Sequence, residues 1–292
     1  MVSRISIFAL ALVGLPIMAS ADDYIPPVVG GKTYVQHQIV AAKTRHPEIL
    51  SIIVEGKRDS DKSPVVLGST RASGAVFTAA PKPAWNVGGK LGPRGRTYVV
   101  RTPFVSSTDH PIGTIVIAFA YRKGQSIARL DGIARAVSAD MARATLSAKN
   151  AADPYPYDNA WGPNTYAQAL TERMIAGHPD LLVMMIHATP PGGKANIIIG
   201  SNIGRIGKMA DEDDLRVIEK GSTNLEIGGD NDRFETELPL LDASGKRIGA
   251  LGLVFRYKPG DDKEAIHRHG LAIRDEIAAR IADNAALFAR RR

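Results

Sequence analysis

The stretch AGHPDLLVMMIHA (176–188) restates an earlier one, TRHPEILSIIVEG (44–56). Each reads His-Pro, then an acid, then an apolar run. A residue before proline is pushed out of the α region, so His46 and His178 should each end a helix. The apolar runs that follow read as buried strands. The likeness extends outward. Tyr34, Gln36, His46, Pro47 and Leu50 recur as Tyr166, Gln168, His178, Pro179 and Leu182, and Gly68-Ser69 recurs as Gly200-Ser201, all 132 positions on (46 to 178). Further along, Ile112-Gly113, Phe119, Tyr121 and Ala142 return as Ile248-Gly249, Phe255, Tyr257 and Ala278, now 136 positions on (113 to 249). An ordered series of this kind marks a duplicated unit with a net insertion of four residues in its second copy.

The copies span 31–150 and 165–287. Between them, 151–164 is rich in proline and aromatic residues and reads as a semi-rigid linker. Each copy should open with a helix (32–45 or 165–176), followed by a strand pair (49–54 with 65–68, or 181–186 with 196–200). After a variable middle come two more strands (97–105 with 114–121, or 233–240 with 249–257). A long helix closes each copy. In copy one Ile127, Leu130, Ala134, Val137 and Met141 recur every three or four residues and make one apolar face. In copy two Ile266, Ile273, Ile277 and Ile281 do the same, and Asp261-x-x-Glu264 reads as a capping box. The expected class is α+β: two tandem domains, each a mostly antiparallel sheet with flanking N- and C-terminal helices.

Composition narrows the setting. Of 292 residues, 44% are hydrophobic and 23% charged, a globular balance. Residues 1–21 carry Arg4, an apolar run and then Ala19-Ser20-Ala21, the layout of a cleaved secretory signal. That run is shorter than the roughly 20 residues a spanning helix needs, and no later run is long enough. The expectation is an exported, soluble, periplasmic protein. With no cysteine, disulfides, thiolate metal sites and a cysteine nucleophile are excluded. The net charge of +7 is a mild bias towards anionic ligands, but basic residues are interspersed with acids and nucleic acid is not an expected partner.

The middle of copy two, IIIGSNIGRIGKMADEDDLRVIEKG (197–221), leaves a strand, turns through Gly200, Gly204 and Gly207, and starts a helix near Asp211. Acids in the first turn suit the helix dipole, and Lys220-Gly221 suits its end. LPLLDASGKRIGALGLVF (238–255) follows, with Pro239, Asp242, Gly245 and Ile248-Gly249. This order resembles the extracytoplasmic PAS-like sensor domains also called Cache domains, in copy two closely and in copy one loosely. The resemblance implies a small-molecule sensor fold. Copy one departs from it at Pro81, Pro83 and Pro93, which oppose a helix there.

Past the second strand of copy two, Ser201, Asn202, Arg205 and Lys208 could present donors to an anionic head group such as a carboxylate. His187, at the end of an apolar strand where copy one has Glu55, is the remaining candidate for ligand contact. His46 and His178 read as helix ends, His267 and His269 as surface positions. No G-x-S-x-G, H-E-x-x-H or P-loop is present, and nothing names a catalytic residue, a metal site or a cofactor. The expected function is an exported small-molecule-binding protein of sensor type that relays its state to a membrane receptor or transporter. Its long helices would offer contacts to such a partner or to a second copy. The alternatives are a periplasmic adaptor with no small ligand and an enzyme whose site assembles in space. A filled apolar core would favour the adaptor; polar groups converging in the fold would favour binding.

Overall fold

A computed structural model describes residues 32–58, 61–71, 88–92, 96–229 and 231–291. The proposed signal segment lies outside the described residues, as do residues 72–87 in the middle of copy one. Copy one runs α1 (Tyr34–Arg45), β1 (Ile49–Gly56), β2 (Val65–Ser69), β3 (Gly88–Leu91), β4 (Thr97–Val105), β5 (Pro111–Ala120), α2 (Ile127–Arg143) and a short α3 (Ala148–Ala151). Copy two runs α4 (Tyr166–Gly177), β6 (Leu181–Ala188), β7 (Ile197–Ser201), α5 (Glu212–Lys220), β8 (Asn224–Gly228), β9 (Arg233–Leu241), β10 (Arg247–Arg256), α6 (Lys263–Ala278) and a short α7 (Asn284–Phe288). The fold is α+β, with two antiparallel five-stranded sheets ordered β2-β1-β5-β4-β3 and β7-β6-β10-β9-β8.

The repeat holds strand by strand. Ile49 pairs Phe119 and Leu181 pairs Phe255; Ile53 pairs Ser69 and Met185 pairs Ser201. Gly88 pairs Arg101 just as Asn224 pairs Glu237, so β3 and β8 already carry the later offset. The four inserted residues therefore fall between β7 and β8, the interval that holds α5.

His46 and His178 are the C-caps of α1 and α4, as the prolines after them require. The matching Gln and Ser of each copy form a clamp: Ser69 N–H donates to Gln36 Oε1 and Ser201 N–H to Gln168 Oε1, each at 2.9 Å. These bonds tie the end of the second strand to the first helix. The α5 helix is capped as its sequence suggests, with a capping box between Asp211 and Asp214 and a left-handed Gly221 at its end. The cap of α6 corrects the sequence reading by one residue. Asp262, not Asp261, accepts from Ala265 N–H, because Asp261 turns back to accept from Lys258 N–H. His269 is also more than a surface residue. Its Nε2 lies 3.3 Å from Asp180, while His178 Nε2 lies 3.2 Å from Glu276, so the two histidines join α4 and α6.

Each sheet packs one face on its own helices. Val35, Ile39, Leu130, Ala134 and Val137 cover Ile52, Val54, Ile115 and Ile117. Leu170, Met174, Ile273 and Ile277 cover Met184, Ile186, Leu251 and Leu253. The apolar stripes of α2 and α6 are thus used inside their own units. No described helix is long and apolar enough to cross a membrane.

The linker is packed rather than free. Tyr34 N–H donates to Asp153 O, Tyr155 N–H to Lys32 O and Tyr157 N–H to Ile206 O. Asn150 is buried; its Nδ2 donates to Ile203 O at 3.0 Å and its Oδ1 accepts from Leu146 N–H at 2.9 Å. Asn150→Ala leaves both groups unpaired in the interior, and should lower unfolding free energy by about 2–3 kcal/mol in a urea titration.

Candidate functional site

The second face of the copy-two sheet is not a simple core. Its apolar end holds Val183, Met185, Ile198, Ile203 and Val254, with Leu146 packed on it from copy one. Its other end is polar. Strand alternation places His187 on this face of β6, and Glu235 and Glu237 on this face of β9. Between them β10 presents Ala250, paired with His187, and Gly252, paired with both Met185 and Glu237. Small residues on the middle strand leave a low strip between larger neighbours, a trough bordered at Gly252 by Met185 Cε and Glu235 Oε1, which stand 3.3 and 3.8 Å from where a Cβ would be. The α5 helix lies over β9 and β10 and turns Asp214 down towards it.

Burial decides the electrostatics. His187 is 2% exposed, Asp214 6% and Glu237 9%. Both ring nitrogens of His187 lack a hydrogen-bond partner, although Nδ1 stands 3.5 Å from Asp214 Oδ2. Burial drives the imidazole down to about 4; Asp211 opposes this, and Lys208 and Arg205 add to it. At neutral pH the ring is uncharged, with one donor and one acceptor unused. Burial pushes Glu235 up to about 7, aided by Glu226 and Asp214, with Arg205 and Arg233 opposing. Glu237 also rises to about 7, by burial and then by Glu235 and Asp214, while Asn224 donates to its Oε2 at 3.3 Å. Asp214 is raised by burial against the backbone hydrogen bond from Asp211.

The residues singled out in the glycine turn divide in two. Ser201 and Asn202 hold the fold. Ser201 Oγ accepts from Ile203 N–H, and Asn202 donates to Leu182 O at 2.8 Å, accepts from Met184 N–H at 2.9 Å and offers its carbonyl to Tyr34 OH at 3.0 Å. Arg205 and Lys208 stand near enough to the His187 end of the trough to act on its charge, but each faces an acid: Arg205 lies 3.6 Å from Asp153 and Lys208 3.9 Å from Asp211. The structure therefore brings His187, Arg205 and Lys208 to one place, while Ser201 and Asn202 make their hydrogen bonds within the chain. It adds Asp214, from the acidic helix start, and Glu235 and Glu237, which the sequence reading did not single out.

No protein-family model matches the chain, and no curated protein matches it. The chemistry of the site must be argued from its own residues. Among the described residues no group of three or more His, Asp or Glu side chains is arranged to hold a metal ion. What the trough offers is a neutral imidazole, three carboxyl groups near their titration range and a floor without large side chains.

Proposed function

We propose that the protein binds a small molecule in the trough between α5 and the second face of the copy-two sheet, as a sensor-type protein of the PAS/Cache kind. The observation that carries this reading is His187. Buried polar groups are almost always hydrogen-bonded, and leaving one unpaired costs about 1–3 kcal/mol. Two unpaired nitrogens beside the buried Asp214 and Glu237 and the half-buried Glu235 are the pattern of a site waiting for a partner. The helix, strand pair, glycine turn, short helix and final strands follow the order that the Cache resemblance implies. The adaptor reading expects an apolar, filled face, whereas the polar end here spans two strands and a helix.

The relay would start at the turn 202–210. This segment joins the trough to copy one through Tyr34, Asn150 and the Arg205–Asp153 pair. A ligand that moves α5 would pull on these contacts, and an exported sensor would pass the change to a membrane receptor or transporter. An enzyme is the second reading, because Glu235 and Glu237 titrate near neutrality as a general acid or base should.

Native mass spectrometry of the protein purified from its own compartment tests the binding. A stoichiometric extra mass is expected, absent from Gly252→Val, which raises the trough floor. A native mass equal to that of the bare chain would overturn the reading. Recovery of the molecule unchanged after incubation supports binding, and its conversion supports the enzyme.

A further inference from the structure

Copy one carries a cation, Arg101, at the equivalent register of its own sheet. Glu55 stands where His187 does, and Arg101 stands where Glu237 does, each in the same register on its sheet (Glu55 with Thr114, Arg101 with Val116). Burial pushes the Glu55 carboxyl up and the Arg101 guanidinium pulls it back down. Thr114 and Val116 occupy the floor that Ala250 and Gly252 leave low in copy two. Copy two has thus exchanged an arginine for a glutamate, added Glu235 where copy one has Val99, and lowered the floor between.

Among the described residues, the charged groups that face the trough come from the elements around it. They are His187 from β6, Asp211 and Asp214 from α5, Glu226 from β8, Arg233, Glu235 and Glu237 from β9, and Arg205 and Lys208 from the turn. Arg205 and Lys208 already face Asp153 and Asp211, and Arg233 lies 3.4 Å from Asp232. Among the described residues, each cation near these carboxyls lies closest to another acid, and His187 beside them has no hydrogen-bond partner.

We infer that the occupant of the trough carries a primary ammonium or guanidinium group, which lies over Ala250 and Gly252 against Asp214, Glu235 and Glu237 and supplies the positive charge that Arg101 brings to the same level of copy one. The inference rests on the binding reading above. The neutral imidazole of His187 accepts one of the ligand's N–H groups or donates to a neighbouring oxygen. Seating a cation holds the carboxyls ionised, so binding releases protons and strengthens as the pH rises.

Thermal melting with small probes tests it: methylguanidine and propylamine as cations and propionate as the anion, at millimolar concentration and matched ionic strength. The cations should raise the melting temperature of the wild type, more at pH 8 than at pH 6, and propionate should not. Glu237→Arg restores copy one's cation in register. It should melt above the wild type at pH 8 without any probe and lose the response to cations. Glu237→Gln keeps the shape should the arginine prevent folding, and it too should lose the response. A Glu237→Gln protein that still answers the cations overturns the inference. So does a folded Glu237→Arg protein that melts lower at pH 8. A wild-type response to propionate that disappears in Gly252→Val overturns the cation but keeps the site. A wild type that answers neither probe while carrying an anionic molecule in its native mass has the same meaning. No response and no extra mass overturn both.

Discussion

Raising the pH from 6.5 to 8 should lower the melting temperature of the unliganded protein, and Glu235→Gln/Glu237→Gln should remove that fall. Glu235 and Glu237 rise from an ordinary 4.5 to about 7 in the folded chain. Between those values the folded chain holds more protons than the unfolded one, so stability drops as pH climbs. His187 works the other way. Its folded value of about 4 lies below the ordinary 6.5, so its contribution grows from pH 4 to 6.5 and is then complete. Above pH 6.5 only the carboxyl slope remains. The two glutamates titrate as a pair, and from 6.5 to 8 they should remove about 1–2 kcal/mol, a few degrees in a melt. At pH 8 the double variant should be the more stable protein, on the order of 3 kcal/mol, because the buried charge of Glu237 and the half-buried charge of Glu235 are gone. It should also stop binding. A melting temperature that stays level or climbs over this span would mean that water reaches the carboxyls and would remove the electrostatic basis of the site. The exchange of stability for binding is common at functional sites.

Much of the fold was legible because duplication tests each reading twice. His-Pro closes α1 and α4, and the paired offsets of 132 and 136 reappear in the strand registers. The capping of α5 followed from Asp211 and Gly221. The site was legible only in part. RFETELPLL (233–241) alternates, and the period of two already separates Glu235 and Glu237 from Phe234, Thr236 and Leu238. Charged residues on one face of a strand ordinarily face water, however. It is the segment between β7 and β8, folded back as α5, that covers that face and buries Glu237. The comparison that would have found them is internal: Arg101 against Glu237 and Glu55 against His187. In the glycine turn Asn202 bonds to Leu182, Met184 and Tyr34, and these non-local contacts could not be read from the sequence. A sequence pattern does not show how many of an amide's hydrogen bonds the chain will use itself.

Gly249→Ala should destabilise the protein by about 3 kcal/mol or more and impair the site at once. A Cβ at Gly249 would stand 1.9 Å from the carbonyl oxygen of His187, and one at Gly113 would stand 1.8 Å from that of Glu55. The atoms struck are backbone, so the side chain cannot rotate away and the strands must part. The crowding is built in. At this level the pairing of β6 with β7 shifts between Ile186 and His187, as that of β1 with β2 shifts between Val54 and Glu55. Glycine lets the middle strand follow that kink closely. Gly113→Ala should therefore cost about as much in a urea titration. The two variants part in binding. Gly249→Ala displaces His187 by its own carbonyl, so the response to cations should be lost even where the protein remains folded. Gly113→Ala displaces Glu55, which lies in copy one and not in the trough, and the response should persist. Equal loss of binding in both would mean that the trough depends on the whole molecule. Loss in Gly249→Ala alone would assign the shared residues of the repeat to the fold and the unshared ones to the ligand.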